Sequence, residues 1–137
     1  MNAYVLDTSV AVAWYLEESF APAARKWQTS LLAGKVVLVV PSLHFLEFAN
    51  VLRTLIKRRE LDDALAREIY ALHLEAPLER GEPEERALLD VALEYGATSY
   101  DAAYISVCVG RDIPLITAEK TTTPWVAKLK GRIEPVR

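Results

Sequence analysis

Strand-like apolar runs alternate with helical stretches along all 137 residues. This predicts an α/β fold, a three-layer α/β/α domain over 1–137 around a central parallel sheet of four to five strands. Two further observations support it. The runs at 3–6 and 36–40 are apolar without alternation, as strands buried on both faces of a parallel sheet require. Prolines and glycines punctuate the stretches between them: Pro22 and Pro83 stand near helix starts, Gly34 and Gly96 at helix ends.

The first strand, 3–6, runs into Asp7-Thr8-Ser9, and Ser9 opens a helical stretch through Leu16. A second helix covers 21–32. Residues 36–40 are almost all β-branched and suit a central strand. The longest helix covers 43–59 with Ser42 as its cap, and Asp62 caps a fourth in which Leu65, Ile69 and Leu72 keep helical spacing. A short strand is expected at 73–78, and Pro77 restricts it to a sheet edge. Pro83 starts a fifth helix that ends at Gly96, with Leu88, Val91, Ala92 and Tyr95 on one face. Thr98-Ser99-Tyr100-Asp101 has the form of a capping box and opens a sixth helix to Gly110. A strand at 113–117, a short helix from Thr123-Pro124 to Gly131 and a final edge strand at 132–136 complete the order.

Composition narrows the function classes. Hydrophobic residues make up 52% of the chain, too many for disorder. No uncharged apolar run nears the roughly 20 residues of a membrane span. No basic residue precedes the apolar N-terminal stretch, so a signal peptide is not expected and a cytoplasmic location is. Cys108, the one cysteine, sits among Ile105, Val107 and Val109 and reads as a buried core residue in a reducing compartment. His44 and His73 are too few for a zinc site. The net charge of −3 hides an asymmetry: 60–94 holds 11 acids and three arginines, net −8, while the remainder is net +5. One acidic and one basic flank on a small domain are compatible with nucleic-acid binding.

Four acids invite a chemical reading. Asp7 and Glu119 follow parallel strands at the same sheet edge, where ligands bind in open α/β sheets. Glu47 and Asp101 lie early in helices that start there. Each also has a plain structural reading. Asp7, Thr8 or Ser9 could simply cap the first helix. Glu47 falls on a polar stripe with His44, Asn50 and Thr54, opposite Phe45, Ala49, Leu52 and Ile56. Asp101 in a first turn suits the helix dipole. Four converging carboxylates would repel one another unless cations neutralised them, and an all-oxygen ligand set selects Mg²⁺ or Mn²⁺.

The ordered motifs resemble the PIN-domain ribonucleases, and among them the VapC-type toxins of toxin–antitoxin pairs. Val5-Leu6-Asp7-Thr8-Ser9 matches the family's opening strand and first acid, and Glu47-Phe48-Ala49-Asn50-Val51-Leu52 the helix carrying the second. Ser99-Tyr100-Asp101-Ala102-Ala103-Tyr104 matches the third-acid motif, and Pro114-Leu115-Ile116-Thr117-Ala118 the strand before the fourth. The family usually carries Asp at that fourth position; here Glu119 stands in its place.

The resemblance implies a PIN-like fold and metal-assisted hydrolysis of RNA phosphodiesters. Asp7, Glu47, Asp101 and Glu119 would be the catalytic acids, and Asp7, Glu47 and Asp101 the ligands of Mg²⁺ (or Mn²⁺). Thr8, Ser9 and Thr117 would orient carboxylates or water, and Lys57, Arg58, Arg59, Lys120, Lys128 and Lys130 are candidates to hold the RNA backbone. It also implies a homodimer and a small antitoxin whose C-terminal segment fills the acidic groove. Trp14, Tyr15, Phe20 and Trp27 are large for two short helices: the core takes some of them, and their surface is expected to bind the antitoxin. Two other functions fit the same residues: a PIN-like module that only binds RNA or protein, and a phosphoryl-transfer enzyme using Asp7 as nucleophile beside Lys120.

Overall fold

The computed structural model describes residues 2–137. Five strands, β1 (Asn2–Leu6), β2 (Val36–Val40), β3 (Glu79–Arg80), β4 (Leu115–Thr117) and β5 (Ile133–Pro135), form one sheet in the order β3-β2-β1-β4-β5. Every neighbouring pair is parallel, as the unalternating apolar strands require. The pleat divides these strands between two cores. Leu6, Leu38, Val40 and Ile116 face α1 (Thr8–Val12), α2 (Ala21–Leu32), α3 (Leu43–Lys57) and α4 (Asp63–Leu74). Val5, Val39 and Leu115 face α5 (Leu88–Tyr95), α6 (Ser99–Arg111) and α7 (Pro124–Lys128). Cys108 lies fully buried in the second core, and burial pushes its thiol up to about 11. Among the described residues no helix is long and apolar enough to cross a membrane.

Chain order runs outward from β1 on one side through β2 and β3, then returns to its other side as β4 and β5. The connections on the two sides of β1 leave in opposite directions, so a crevice opens at the carboxyl ends of β1 and β4. Asp7 is the first residue past β1, and Thr117 is the last of β4.

Several elements differ from expectation. The strand expected at 73–78 is not there: α4 continues to Leu74, and the edge strand is the pair Glu79–Arg80. His73 shares a helical face with Ala66 and Ile69, all three buried, so the core extends α4 past the predicted end. Ser42 does not cap α3 with its side chain; instead its N–H and hydroxyl both donate to Glu82 Oε1, at 2.7 and 2.6 Å. The α3 helix stops at Lys57 because Arg59 turns left-handed (φ 58°). The segment after Pro83 first makes a 3₁₀ turn, Glu85–Ala87, before α5. Trp14 and Phe20 are core residues rather than surface ones, and Trp14 Nε1 donates to the Ala24 carbonyl at 2.9 Å. Tyr15 and Trp27 are partly buried against the same core.

Candidate active site

Asp7 occupies the N-cap position of α1, yet its side chain caps nothing. The backbone carbonyl accepts from Val10 and Ala11 N–H, while the carboxylate makes no cap bond. Its Oδ2 instead accepts from Thr117 Oγ1 at 2.8 Å, across the crevice, and from Ser9 Oγ at 3.3 Å. Each hydroxyl is itself held by the backbone beyond β4: Glu119 N–H donates to Thr117 Oγ1 at 3.0 Å and Ala118 N–H to Ser9 Oγ at 3.4 Å. The capping explanation of Asp7 is therefore excluded as far as its carboxylate is concerned.

Asp7 is only 9% exposed. Burial raises its pKa from 3.8 to about 7, the Thr117 and Ser9 bonds pull the other way, and the Asp101 and Glu47 charges add to the rise. Asp101 is also raised, first by partial burial and then by the charges of Glu119 and Glu47. Thr98 Oγ1 accepts from Asp101 N–H at 3.1 Å and so caps α6, and a hydrogen bond with the Thr98 side chain pulls the Asp101 pKa the other way. The structure thus brings Asp7, Glu47, Asp101 and Glu119 into one mutually repelling group at the carboxyl edge of the sheet, with Thr8, Ser9 and Thr117 among them.

The group is not a preformed chelate. Among the described residues no three His, Cys, Asp or Glu side chains stand close enough together to hold an ion as they are. The raised pKa values of Asp7 and Asp101 still record the repulsion among the four acids. The donor chemistry does fit a hard divalent ion, because every side chain in the group offers oxygen.

Glu47 is held from a direction not expected. Its Oε1 lies within hydrogen-bond reach of Thr8 Oγ1, at 3.0 Å, and of the Tyr104 hydroxyl, at 2.7 Å. His44, expected on the polar stripe beside Glu47, is fully buried, with Nδ1 3.3 Å from Thr8 Oγ1 and 3.2 Å from the Tyr104 oxygen. Behind it, His44 Nε2 meets His73 Nε2 at 2.9 Å, and His73 Nδ1 meets the Tyr15 hydroxyl at 2.9 Å. Tyr104, His44 and His73 were not among the expected site residues. The available signal was helical spacing: His44 lies one turn before Glu47, and Tyr104 one turn after Asp101.

Two clefts flank the acids. One, of about 350 Å³, is lined by Ser9, Glu18, Glu119, Lys120 and Arg137 among others. The other is lined by Leu43, Leu46, Glu47, Asn50 and Tyr100, with Leu46 and Tyr100 strongly exposed. Lys57, Arg58, Arg59, Lys120 and Lys130 are exposed. Lys128 is engaged within the fold, donating to the Glu94 carbonyl and lying over the Tyr95 ring.

The sheet order and its crevice define an α/β domain with its candidate site at the carboxyl ends of the central strands. The chain belongs to the PIN domain family, whose sequence profile matches residues 4–121. It is similar to the crystal structure of PAE2754 from Pyrobaculum aerophilum, at 26% identity and a TM-score of 0.74, over 98% of this chain and 84% of that one. No curated protein matches the sequence. PIN domains are generally metal-dependent nucleases.

Proposed function

We propose that the protein is a Mg²⁺- or Mn²⁺-dependent endoribonuclease, the toxin of a VapC-type toxin–antitoxin pair. The observation that carries the reading is Asp7: a buried carboxylate that caps no helix, repelled by Asp101 and Glu47. An uncharged residue would serve the fold better there, so the charge points to a ligand. Asp7, Glu47 and Asp101 would hold the ion, and a bound divalent ion supplies a water of lowered pKa and neutralises charge on the phosphate oxygens. Thr117 and Ser9 fix the Asp7 carboxylate, and Thr8 and Tyr104 fix that of Glu47. Glu119, in the place of the family's usual Asp, adds its charge beside Asp101.

The RNA backbone would cross the acids between two basic groups. Lys120 and Arg137 line the cleft beside Glu119. Lys57, at the end of α3, lies roughly 15 Å along the helix axis from Glu47, with Arg58 and Arg59 just beyond. The toxin role, a homodimer and an antitoxin segment filling the acidic groove are what the resemblance to VapC-type toxins implies. With Trp14 in the core, the exposed Leu46 and Tyr100 beside Glu47 are the better apolar surface for that segment. Incubation of purified protein with RNA and Mn²⁺ should give cleavage that a chelator abolishes. RNA binding without cleavage would favour the binding module, and capture of a phosphorylated Asp7 the transferase.

A further inference from the structure

We infer that Tyr15, His73, His44, Thr8 and Tyr104 form a hydrogen-bond relay of one fixed direction, ending on Glu47, in which His44 and Tyr104 are positioning residues for that carboxylate. The inference rests on the reading of Glu47 as a metal ligand only for its consequence. The direction follows from counting protons.

Thr8 Oγ1, the Tyr104 hydroxyl oxygen and Glu47 Oε1 form a triangle with sides of 2.6, 2.7 and 3.0 Å. The two hydroxyls bring two protons. The Glu47 carboxylate brings none and needs at least one, because two oxygen lone pairs facing it at 2.7 and 3.0 Å would repel. The 2.6 Å contact between Thr8 and Tyr104 needs the other, since oxygens that close are joined by a proton. Thr8 can donate to Tyr104 and Tyr104 to Glu47, or the reverse order can hold; either way both protons are used inside the triangle. None is left for His44 Nδ1, which faces the same two hydroxyls at 3.3 and 3.2 Å. His44 Nδ1 must therefore carry a proton and donate it.

The rest of the chain follows. Both imidazoles are buried, and burial pushes them down, His44 to about 3 and His73 to about 4, so each is neutral and holds one ring proton. With its proton on Nδ1, His44 has a bare Nε2, which accepts from His73 Nε2–H at 2.9 Å. His73 then has a bare Nδ1 and accepts from the Tyr15 hydroxyl at 2.9 Å. Every donor points toward Glu47. Among the described residues Glu47 Oε2 has no hydrogen-bond partner, so one oxygen is pinned by the relay while the other is left for a ligand.

A buried His pair that only filled space would have no preferred tautomer and would tolerate an apolar replacement. The test separates that case from the relay. Long-range ¹H–¹⁵N spectra of histidine-labelled protein at pH 7 should show His44 as the Nδ1–H tautomer and His73 as the Nε2–H tautomer. The opposite assignment at either ring overturns the relay. His44→Asn and His44→Leu have nearly the same shape, but only Asn keeps a donor where Nδ1–H stood. Space filling favours Leu in a buried site. Positioning requires that Asn hold Mn²⁺ affinity within about threefold of wild type while Leu loses about 10–100-fold, the usual effect of removing a partner of a metal ligand. Tyr104→Phe should lose a similar factor. Equal Mn²⁺ affinity for the Asn and Leu variants would refute the positioning role. If wild type itself binds no Mn²⁺, the metal-ligand reading of Glu47 falls, and the tautomers alone decide the relay.

Discussion

At the scale of single residues, the informative feature is a charge placed where the fold has no use for it. Asp7 holds its proton more tightly in the folded chain, at about 7, than at its ordinary 3.8. The folded state therefore binds more protons than the unfolded one between those values, and stability falls as pH rises through that window. Above about pH 7 the full penalty of the buried anion is present, roughly 4 kcal/mol at about 1.4 kcal/mol per pH unit. In chelator at pH 8, Asp7→Asn should be more stable than wild type by up to that amount, with the gap closing as pH approaches 4. A difference independent of pH, followed by denaturant titration, would mean that Asp7 is not a strained anion. The sequence could show that Asp7 sat at a strand end, but not that its carboxylate ignores the helix, which depends on Thr117, 110 residues away. The buried histidines were hidden for a related reason. A neutral pair that satisfies its own hydrogen bonds reads as polar in sequence and behaves as core in the fold. Trp14 erred the other way, since its indole N–H finds a partner in Ala24 O and lets the whole ring go inside. Trp14→Ala should therefore cost about 3–5 kcal/mol of stability, measured by denaturant unfolding, instead of acting on a binding surface.

At the scale of elements, apolar runs and glycine stops were enough to locate β1, β2, β4 and the bodies of the helices. Boundaries failed where a long-range contact decided them. An edge strand was expected at 73–78, yet His73 is drawn into the α4 face by His44 and Tyr15. The start of α3 shows the same dependence. Ser42, the residue before its first turn, gives both its N–H and its hydroxyl to Glu82, forty residues on, and so caps nothing with its side chain. Glu82→Ala should then destabilise the protein by about 1 kcal/mol, the usual net worth of a hydrogen bond, while Ser42→Ala should cost less because the backbone bond to Glu82 remains. Equal losses in thermal or urea unfolding would mean that the Ser42 hydroxyl, and not its N–H, carries the contact with Glu82.

At the scale of the whole molecule, the acidic stretch at 60–94 and the basic remainder belong to one small domain, and the net charge of −3 misrepresents what RNA would meet. Each phosphate neutralised on a single strand contributes about −0.7 to the slope of log K against log salt. Replacing Lys57, Arg58 and Arg59 by Gln should reduce the slope by about 2 if all three contact the backbone, and an unchanged slope would remove α3's end from the RNA path. The parallel order of the sheet explains why acids from four separate stretches meet at all: strand ends and helix starts share one edge, so neighbours in space need not be neighbours in sequence. The most direct test of the account is RNA cleavage by Asp7→Asn in saturating Mn²⁺, beside the wild type. Asn preserves the shape and can still accept from Thr117 and Ser9, but it carries no charge, so cleavage should be lost along with the Mn²⁺-induced rise in melting temperature. Cleavage at the wild-type rate would contradict the assignment of the site.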